Sequence, residues 1–289
     1  MVPEASGDDG RDGVRLSDLL RVEKGFRLEE VGSRSTPGFA GGKAAGRTAL
    51  RAGTEPFAEL QERLFAESRF GGERSVLLVL QGMDTAGKGG IVRHVVGAAD
   101  PQGVRHTAFK APTSGERARG FLWRIRRALP EPGEIGVFDR SHYEDVLIAR
   151  VQGLVPRATW VARFDSINAF EAEVAARGTT IVKVMLHLGR KEQRSRLTRR
   201  LGRPDKYWKY SPTDVDARLL WDDYQQAYQD ALTRCSTDLA PWYVVPADRK
   251  WYARWAVQQL LLEHLQALDP QWPAAAFDVA AERARLAAT

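Results

Sequence analysis

The segment Gly82-Met83-Asp84-Thr85-Ala86-Gly87-Lys88-Gly89 constrains this chain more than any other stretch. It follows SVLLVLQ (75–81), a short apolar run rich in branched residues, as expected of a strand buried on both faces, and precedes a helical pattern from about Gly89 to Ala98. Strand, glycine loop and helix in that order make a phosphate cradle. The glycines let the backbone curl so that successive N–H groups turn inward, the helix start adds partial positive charge, and Lys88 reaches terminal phosphate oxygens. Gly82, Met83, Thr85, Ala86, Gly87, Gly89 and Gly90 are therefore candidate ligand-binding positions, and Lys88 a candidate catalytic one. The plainer alternative is a glycine turn with a surface lysine. Phosphate loops usually carry Ser or Thr after the lysine to hold Mg²⁺; here Gly89 stands in that place, so another residue must hold the metal. Asp84, inside the loop, offers a hard carboxylate oxygen, although a turn aspartate is its simpler reading.

The pattern then repeats. Strands are expected at Val104 to Phe109, at IGVF (135–138), at TIVKVMLHL (180–188) and at WYVVP (242–246). Helices are expected at Arg47 to Glu67, Glu116 to Leu129, His142 to Val151, Thr159 to Arg177, Pro212 to Arg234 and Lys250 to Leu268. Strands alternating with helices imply an α/β domain of three layers, with a parallel central sheet between helices. With no internal repeat or low-complexity linker, residues 47–289 read as one domain and 1–46 as a flexible N-terminal arm. Within that arm, residues 1–12 are polar enough to be disordered, and Ser33 to Gly46, with Pro37 and several glycines, reads as irregular.

IGVF runs into Asp139-Arg140-Ser141-His142-Tyr143-Glu144. An acid at the carboxyl end of a strand neighbouring the glycine loop is where a second metal-binding carboxylate belongs, so Asp139 joins Asp84 as a candidate metal ligand and catalytic residue. A helix-capping aspartate is the alternative. Arg140 would fork across phosphate oxygens or, alternatively, pair with Asp84 or Glu144.

Charge is concentrated rather than spread. Lys plus Arg minus Asp plus Glu is 43 − 37 = +6 over 289 residues. Between Arg190 and Arg218 the basic residues Arg190, Lys191, Arg194, Arg196, Arg199, Arg200, Arg203, Lys206, Lys209 and Arg218 face Glu192, Asp205, Asp214 and Asp216, which is 10 − 4 = +6 again. Such a segment attracts a polyanion; nucleic acid, nucleotide and inorganic polyphosphate all qualify. On a helix Arg196, Arg199, Arg200 and Arg203 share a broad face, so their guanidinium groups would converge above the phosphate loop as a lid over about 190–218. A solvated basic helix is the alternative. Trp208, Trp221 and Tyr224 read as packing residues rather than base-stacking ones.

The histidines 94, 106, 142, 187 and 264 show no zinc spacing, and His94 and His142 read as structural. Cys235, the single cysteine, excludes an internal disulfide and suits a reducing cytoplasm. No apolar run approaches the roughly 20 residues of a membrane span, and the acidic N-terminus lacks the order of a secretory signal.

Together GMDTAGKGG (82–90), DRSHYE (139–144) and KYWKYSPTDVDARLLWDDYQQAY (206–228) closely resemble the second polyphosphate kinase family, as does APWYVVPADRKWYARWAV (240–257). The resemblance covers roughly residues 25–268. It implies a phosphate-loop kinase fold related to nucleotide monophosphate kinases, and Mg²⁺-dependent transfer of the terminal phosphate of inorganic polyphosphate to an adenine or guanine nucleotide. It carries the family's loop acid and lysine onto Asp84 and Lys88, its second acid and following arginine onto Asp139 and Arg140, and its lid arginines near Arg199, Arg200 and Arg203. The stretch SHYE is similar to members accepting nucleoside monophosphates, whereas diphosphate-only members typically show asparagine at the place of Glu144. A dimer or tetramer is implied by the same analogy. An ATP-dependent kinase would use the same loop and acids, while a nonenzymatic nucleic-acid binder would not need Asp84 and Asp139, which repel a nucleic-acid backbone.

Overall fold

The computed structural model describes residues 14–289. Five strands, β1 (Ser75–Gln81), β2 (Val104–Ala108), β3 (Ile135–Asp139), β4 (Thr179–His187) and β5 (Trp242–Pro246), form one sheet in the order β2-β3-β1-β4-β5, all pairs parallel. The helices in chain order are α1 (Leu16–Leu20), α2 (Lys43–Ala52), α3 (Thr54–Ser68), α4 (Lys88–His94), α5 (Ser114–Arg117), α6 (Trp123–Arg126), α7 (Ile148–Val151), α8 (Arg157–Ala176), α9 (Arg190–Leu201), α10 (Thr213–Leu219), α11 (Trp221–Cys235), α12 (Lys250–Leu268) and α13 (Val279–Ala287). The expected strands, their parallel pairing and the three-layer α/β class all hold.

β1 lies at the centre and is buried along its whole length, which is why it reads as a continuous apolar run. Its side chains nevertheless alternate between two cores. Val76, Leu78 and Leu80 pack with Phe57, Ile91 and the apolar face of α12; Leu77 and Val79 pack with Phe138, Phe164 and α11 residues such as Leu232. The chain leaves β1 toward β2 and β3 on one side and then crosses to β4 and β5 on the other. The carboxyl end of β1 is thus the point where strand order reverses, the place where open parallel sheets bind ligands.

Several expected elements are more broken than their apolar spacing suggests. The helix expected at Arg47 to Glu67 is two helices, α2 and α3, meeting at Gly53, where the side chain of Gln258 occupies the space a Cβ would need. Glu116 to Leu129 contains only the single turns α5 and α6, separated by Gly120 at φ 83°. His142 to Val151 is a 3₁₀ turn over His142–Asp145 followed by α7. Pro212 to Arg234 divides at Leu220 into α10 and α11, and the helix after the glycine loop ends at His94 before a 3₁₀ turn.

The flexible arm expected over 1–46 also needs correction for the described part. Leu16, Leu20, Val22 and Leu28 are buried in the two cores. The amides of Leu16 and Ser17 donate to the carboxylate of Glu263 at 2.8 and 2.9 Å, and the Val22 amide donates to the Trp242 carbonyl at 2.8 Å. This segment therefore covers the open edge of β5, where an unpaired strand would otherwise face solvent. The disorder expected for residues 1–12 lies outside the described residues.

Candidate active site

At the carboxyl end of β1 the chain turns sharply. Gly82 has φ 148°, and a Cβ there would stand 2.8 Å from the Leu186 carbonyl oxygen; Gly87, at φ 122°, closes the loop. Between them Thr85 takes φ 69°, an unfavourable left-handed conformation for a β-branched residue. The loop's carbonyls and amides point to different fates. The buried guanidinium of Arg196, from α9, donates to the carbonyls of Thr85 and Ala86 at 2.9 Å each and to those of Ala247 and Asp248 at 2.6 and 3.0 Å. Gln193 donates to the Asp84 carbonyl at 3.2 Å. Among the described residues, the amides of Asp84, Thr85, Gly87, Lys88 and Gly89 donate to no acceptor of the protein. The loop is clamped by its carbonyls and offers its amides, which is the arrangement an anion-binding nest requires. Lys88 Nζ donates to the Gly82 carbonyl at 2.7 Å, across the loop.

β3 runs beside β1 with Asp139 opposite Leu80, so its carboxyl end meets the loop. The Arg140 amide donates to the Leu80 carbonyl at 3.1 Å, and the residue takes φ 65°. That left-handed turn swings its guanidinium back over the loop, where it donates to Asp84 Oδ1 at 3.0 Å and lies 4.0 Å from Glu144 Oε2. Burial pulls the Arg140 pKa down, but Glu144 and Asp84, with smaller contributions from Tyr228 and Asp139, leave it above its ordinary value. Asp84, Asp139, Arg140 and Glu144 thus share one electrostatic neighbourhood.

Glu144 sits at the floor of a cleft of about 40 Å³ lined by Gly82, Met83, Asp84, Arg140, Leu147, Ile148, Ala217, Tyr224 and Tyr228. Burial raises its pKa, and Arg140, Lys88 and Gln81 only partly offset that rise. With its amide oriented to satisfy both ends, Gln81 donates to Glu144 Oε1 at 3.0 Å and accepts from the Ser141 hydroxyl at 3.1 Å. Burial, then Glu144 and Asp84, push the Tyr224 phenol up to about 12.

The lid arginines do not converge as the helical wheel suggests. Arg199 pairs with Glu192 at 2.9 Å, Arg200 donates to the Lys209 carbonyl at 2.8 Å and lies 3.5 Å from Asp214, and Arg203 pairs with Asp205 at 2.8 Å. α9 ends at Leu201, so Arg203 lies beyond the helix, and Arg199 and Arg200, adjacent on it, face different partners. Arg196 alone of that group reaches the loop, and it holds backbone rather than projecting into the cleft.

Beneath DRSHYE lies a group that sequence reasoning missed. Lys183, in the middle of β4 and fully buried, donates to Tyr143 Oη, Glu171 Oε2 and the Cys235 carbonyl at 2.9, 2.5 and 2.6 Å. Glu171 Oε1 accepts from the Tyr143 hydroxyl at 2.8 Å and lies 3.1 Å from His142 Nε2. His142 is therefore structural, as expected. A lysine interrupting an apolar strand was the available signal, since a buried ammonium demands a carboxylate.

A sequence profile of the family described as polyphosphate kinase 2 matches residues 42–273. This chain belongs to the polyphosphate kinase 2 family. It is 45% identical over 248 residues to the AMP/ADP-polyphosphate phosphotransferase of Meiothermus ruber, covering 86% of this chain and 91% of that one. It is 43% identical over 236 residues to the ADP-polyphosphate phosphotransferase of Rhodopseudomonas palustris, covering 78% and 80%. The crystal structure of polyphosphate kinase 2 from Arthrobacter aurescens superimposes with a TM-score of 0.94 at 55% identity, covering 96% of this chain and 98% of that one. The phosphate-loop kinase fold is thereby established. No helix among the described residues is long and apolar enough to cross a membrane.

Proposed function

We propose that this chain is a polyphosphate:nucleotide phosphotransferase that moves the terminal phosphoryl group of inorganic polyphosphate to AMP, giving ADP, and to ADP, giving ATP, with Mg²⁺. The observation that carries the reading is the set of unpartnered loop amides beside Lys88, with Asp84 and Arg140 lining the adjoining cleft and Asp139 at the neighbouring strand end. Family membership and relatives named for AMP and ADP support the substrates.

The donor's terminal phosphate would lie against the amides of Asp84, Thr85, Gly87, Lys88 and Gly89, with Lys88 Nζ exchanging the Gly82 carbonyl for phosphate oxygen. Arg140 would likewise exchange Asp84 for the transferring group, freeing that carboxylate. Asp84 and Asp139 are hard oxygen donors that fit Mg²⁺, which takes one or two carboxylates and fills its remaining positions with water and substrate phosphates. Such a shared site needs no larger cluster of protein ligands. When bound, Mg²⁺ would neutralise charge at the phosphoryl bond being broken.

The acceptor phosphate oxygen attacks the terminal phosphorus, and the bonding pair of the cleaved P–O bond leaves with the shortened polyphosphate. The accepting phosphate is already ionised near neutral pH, so no general base is needed; the residues contribute position and charge. Each cation is worth on the order of 2–4 kcal/mol in the transition state. By microscopic reversibility the same groups serve the back reaction. Glu144 would position the shorter acceptor, the basis for including AMP. A cleft of about 40 Å³ is too small for a nucleotide. Substrate entry therefore needs α10, the part of the lid that carries Ala217, and the start of α11, which carries Tyr224, to move outward. A cytoplasmic dimer or tetramer that binds neither membrane nor nucleic acid completes the reading.

The test supplies purified protein with long-chain polyphosphate, Mg²⁺ and, separately, AMP, ADP, GMP or GDP, and follows nucleotide products. ADP and ATP formation from the adenine nucleotides is expected. Transfer that appears only when a nucleoside triphosphate is the donor would overturn the reading in favour of an ordinary kinase.

A further inference from the structure

Beyond the lid, a second group of cations lies against the phosphate loop's far end. They are distant in sequence and gathered by packing. Arg254, on α12, places its guanidinium 3.6 Å from where a Cβ on Gly90 would stand, directly over the first turn of α4. Lys250 lies one turn earlier on α12, and Arg93 lies one turn after Gly90 on α4. Arg47 comes from α2, which crosses α12 closely because Gly46 leaves room for the ring of Trp251. Among the described residues none of Arg47, Arg93, Lys250 and Arg254 forms an ion pair, whereas the lid's Arg199, Arg200 and Arg203 all do.

These charges act on one another. Burial, then Arg47 and Arg93, lower the Arg254 pKa; burial, then Arg196, Arg199 and Arg254, lower that of Lys250 against a smaller opposing effect of Glu192; and burial, then Arg254 and Arg93, lower that of His94. A half-buried guanidinium with cationic neighbours and no carboxylate is unfavourable in the free protein. An anion laid across it would remove that cost. The patch adjoins the loop through Gly90, on the first turn of the helix that Lys88 begins, and what its four members offer is charge.

We infer that Arg47, Arg93, Lys250 and Arg254 form a track for the inner phosphates of the donor chain, so that polyphosphate leaves the loop over the first turn of α4 and runs along the surface where α2 meets α12. This rests on the polyphosphate-donor reading above. The track binds repeating charge only, so it distinguishes long chains from short ones. A competing exposed group, Arg119 and Arg127 around Trp123, lies on the loop after β2 and would guide the chain the opposite way.

The experiment compares wild type with the triple variant Arg47→Gln/Lys250→Gln/Arg254→Gln and with Arg119→Gln/Arg127→Gln, measuring transfer to ADP from chains of about a hundred phosphates and from tripolyphosphate across a salt series. For the triple variant, KM for the long chain should rise about tenfold with a shallower salt dependence, while KM for tripolyphosphate changes less than about twofold. Its melting temperature should not fall, because the removed charges have no hydrogen-bond or ion-pair partner among the described residues. An unchanged long-chain KM, an equal loss with both donors, or a chain-length effect confined to Arg119→Gln/Arg127→Gln would each overturn the track. Wild type that transfers nothing from either polyphosphate would instead overturn the donor reading itself.

Discussion

Lys183→Met is the perturbation whose consequence the structure defines most sharply. The lysine is fully buried, and its ammonium is shared among Glu171 Oε2, the Tyr143 hydroxyl and the Cys235 carbonyl. Methionine fills nearly the same volume, so the cost is electrostatic rather than a cavity. Glu171, whose side chain is 2% exposed, keeps only His142 and the Tyr143 hydroxyl as partners. Removing one member of a buried pair costs about 3–5 kcal/mol, because a buried charge is left uncompensated. For a chain of this size that lowers Tm by roughly 6–15 °C.

The pH dependence gives the more stringent test. In wild type, burial pushes the Glu171 pKa up, but Lys183 and His142 outweigh it and hold it below the ordinary 4.5. That contribution to stability is present above the unfolded pKa and is lost as pH falls through the folded one. Without Lys183 burial dominates, and the folded pKa moves above the unfolded value. The sign reverses: the variant is least destabilised at low pH, and its deficit grows as pH rises through the raised pKa. Thermal melts of both proteins at pH 5 and pH 8 should show a larger Tm difference at pH 8, and adding Glu171→Gln should recover at least half of it. A Tm difference below about 2 °C, or one larger at pH 5, would refute the argument.

Lys88→Ala should melt as wild type does and lose about 10²–10³-fold in turnover with polyphosphate, since among the described residues the Lys88 ammonium hydrogen-bonds only the Gly82 carbonyl. Asp139→Asn should lose activity similarly in a Mg²⁺ titration, with partial recovery at high Mg²⁺. Glu144→Asn should lower kcat/KM for AMP at least about tenfold relative to ADP; an unchanged ratio would remove Glu144 from acceptor selection. Arg199→Gln/Arg200→Gln/Arg203→Gln should raise KM for polyphosphate and flatten its salt dependence, whereas Arg196→Gln should lower both Tm and kcat, because it leaves loop carbonyls unsatisfied.

The parts of the site written in contiguous sequence were the legible ones. Strand, glycine loop and lysine occupy one short stretch, and a strand ending in Asp139 announces its own position, so backbone geometry alone carries them to the same end of the sheet. The breaks at Gly53 and Leu220 were not legible, because apolar spacing continues through both and only the approach of Gln258, at the first, shows why the chain must interrupt. The arm was misread for a related reason. Its glycines and Pro37 mark irregular backbone, but irregular is not detached: Leu16, Leu20, Val22 and Leu28 had a sheet edge to cover.

Among the arginines the difficulty was of another kind. A helical wheel reports which residues share a face, and it says nothing of what that face meets. Arg196, Arg199 and Arg200 are within five positions of one another, yet Arg196 is buried holding loop carbonyls as well as Glu192, Arg199 reaches only Glu192 and Arg200 reaches the Lys209 carbonyl and Asp214. The cations that have no ion-pair partner among the described residues, Arg254 and its neighbours, come from segments in which no charge run is visible. What decides whether a basic residue here is paired within the protein is the presence of a carboxylate within reach. That is a property of the packed helices α2, α4, α9 and α12 rather than of any one stretch of sequence.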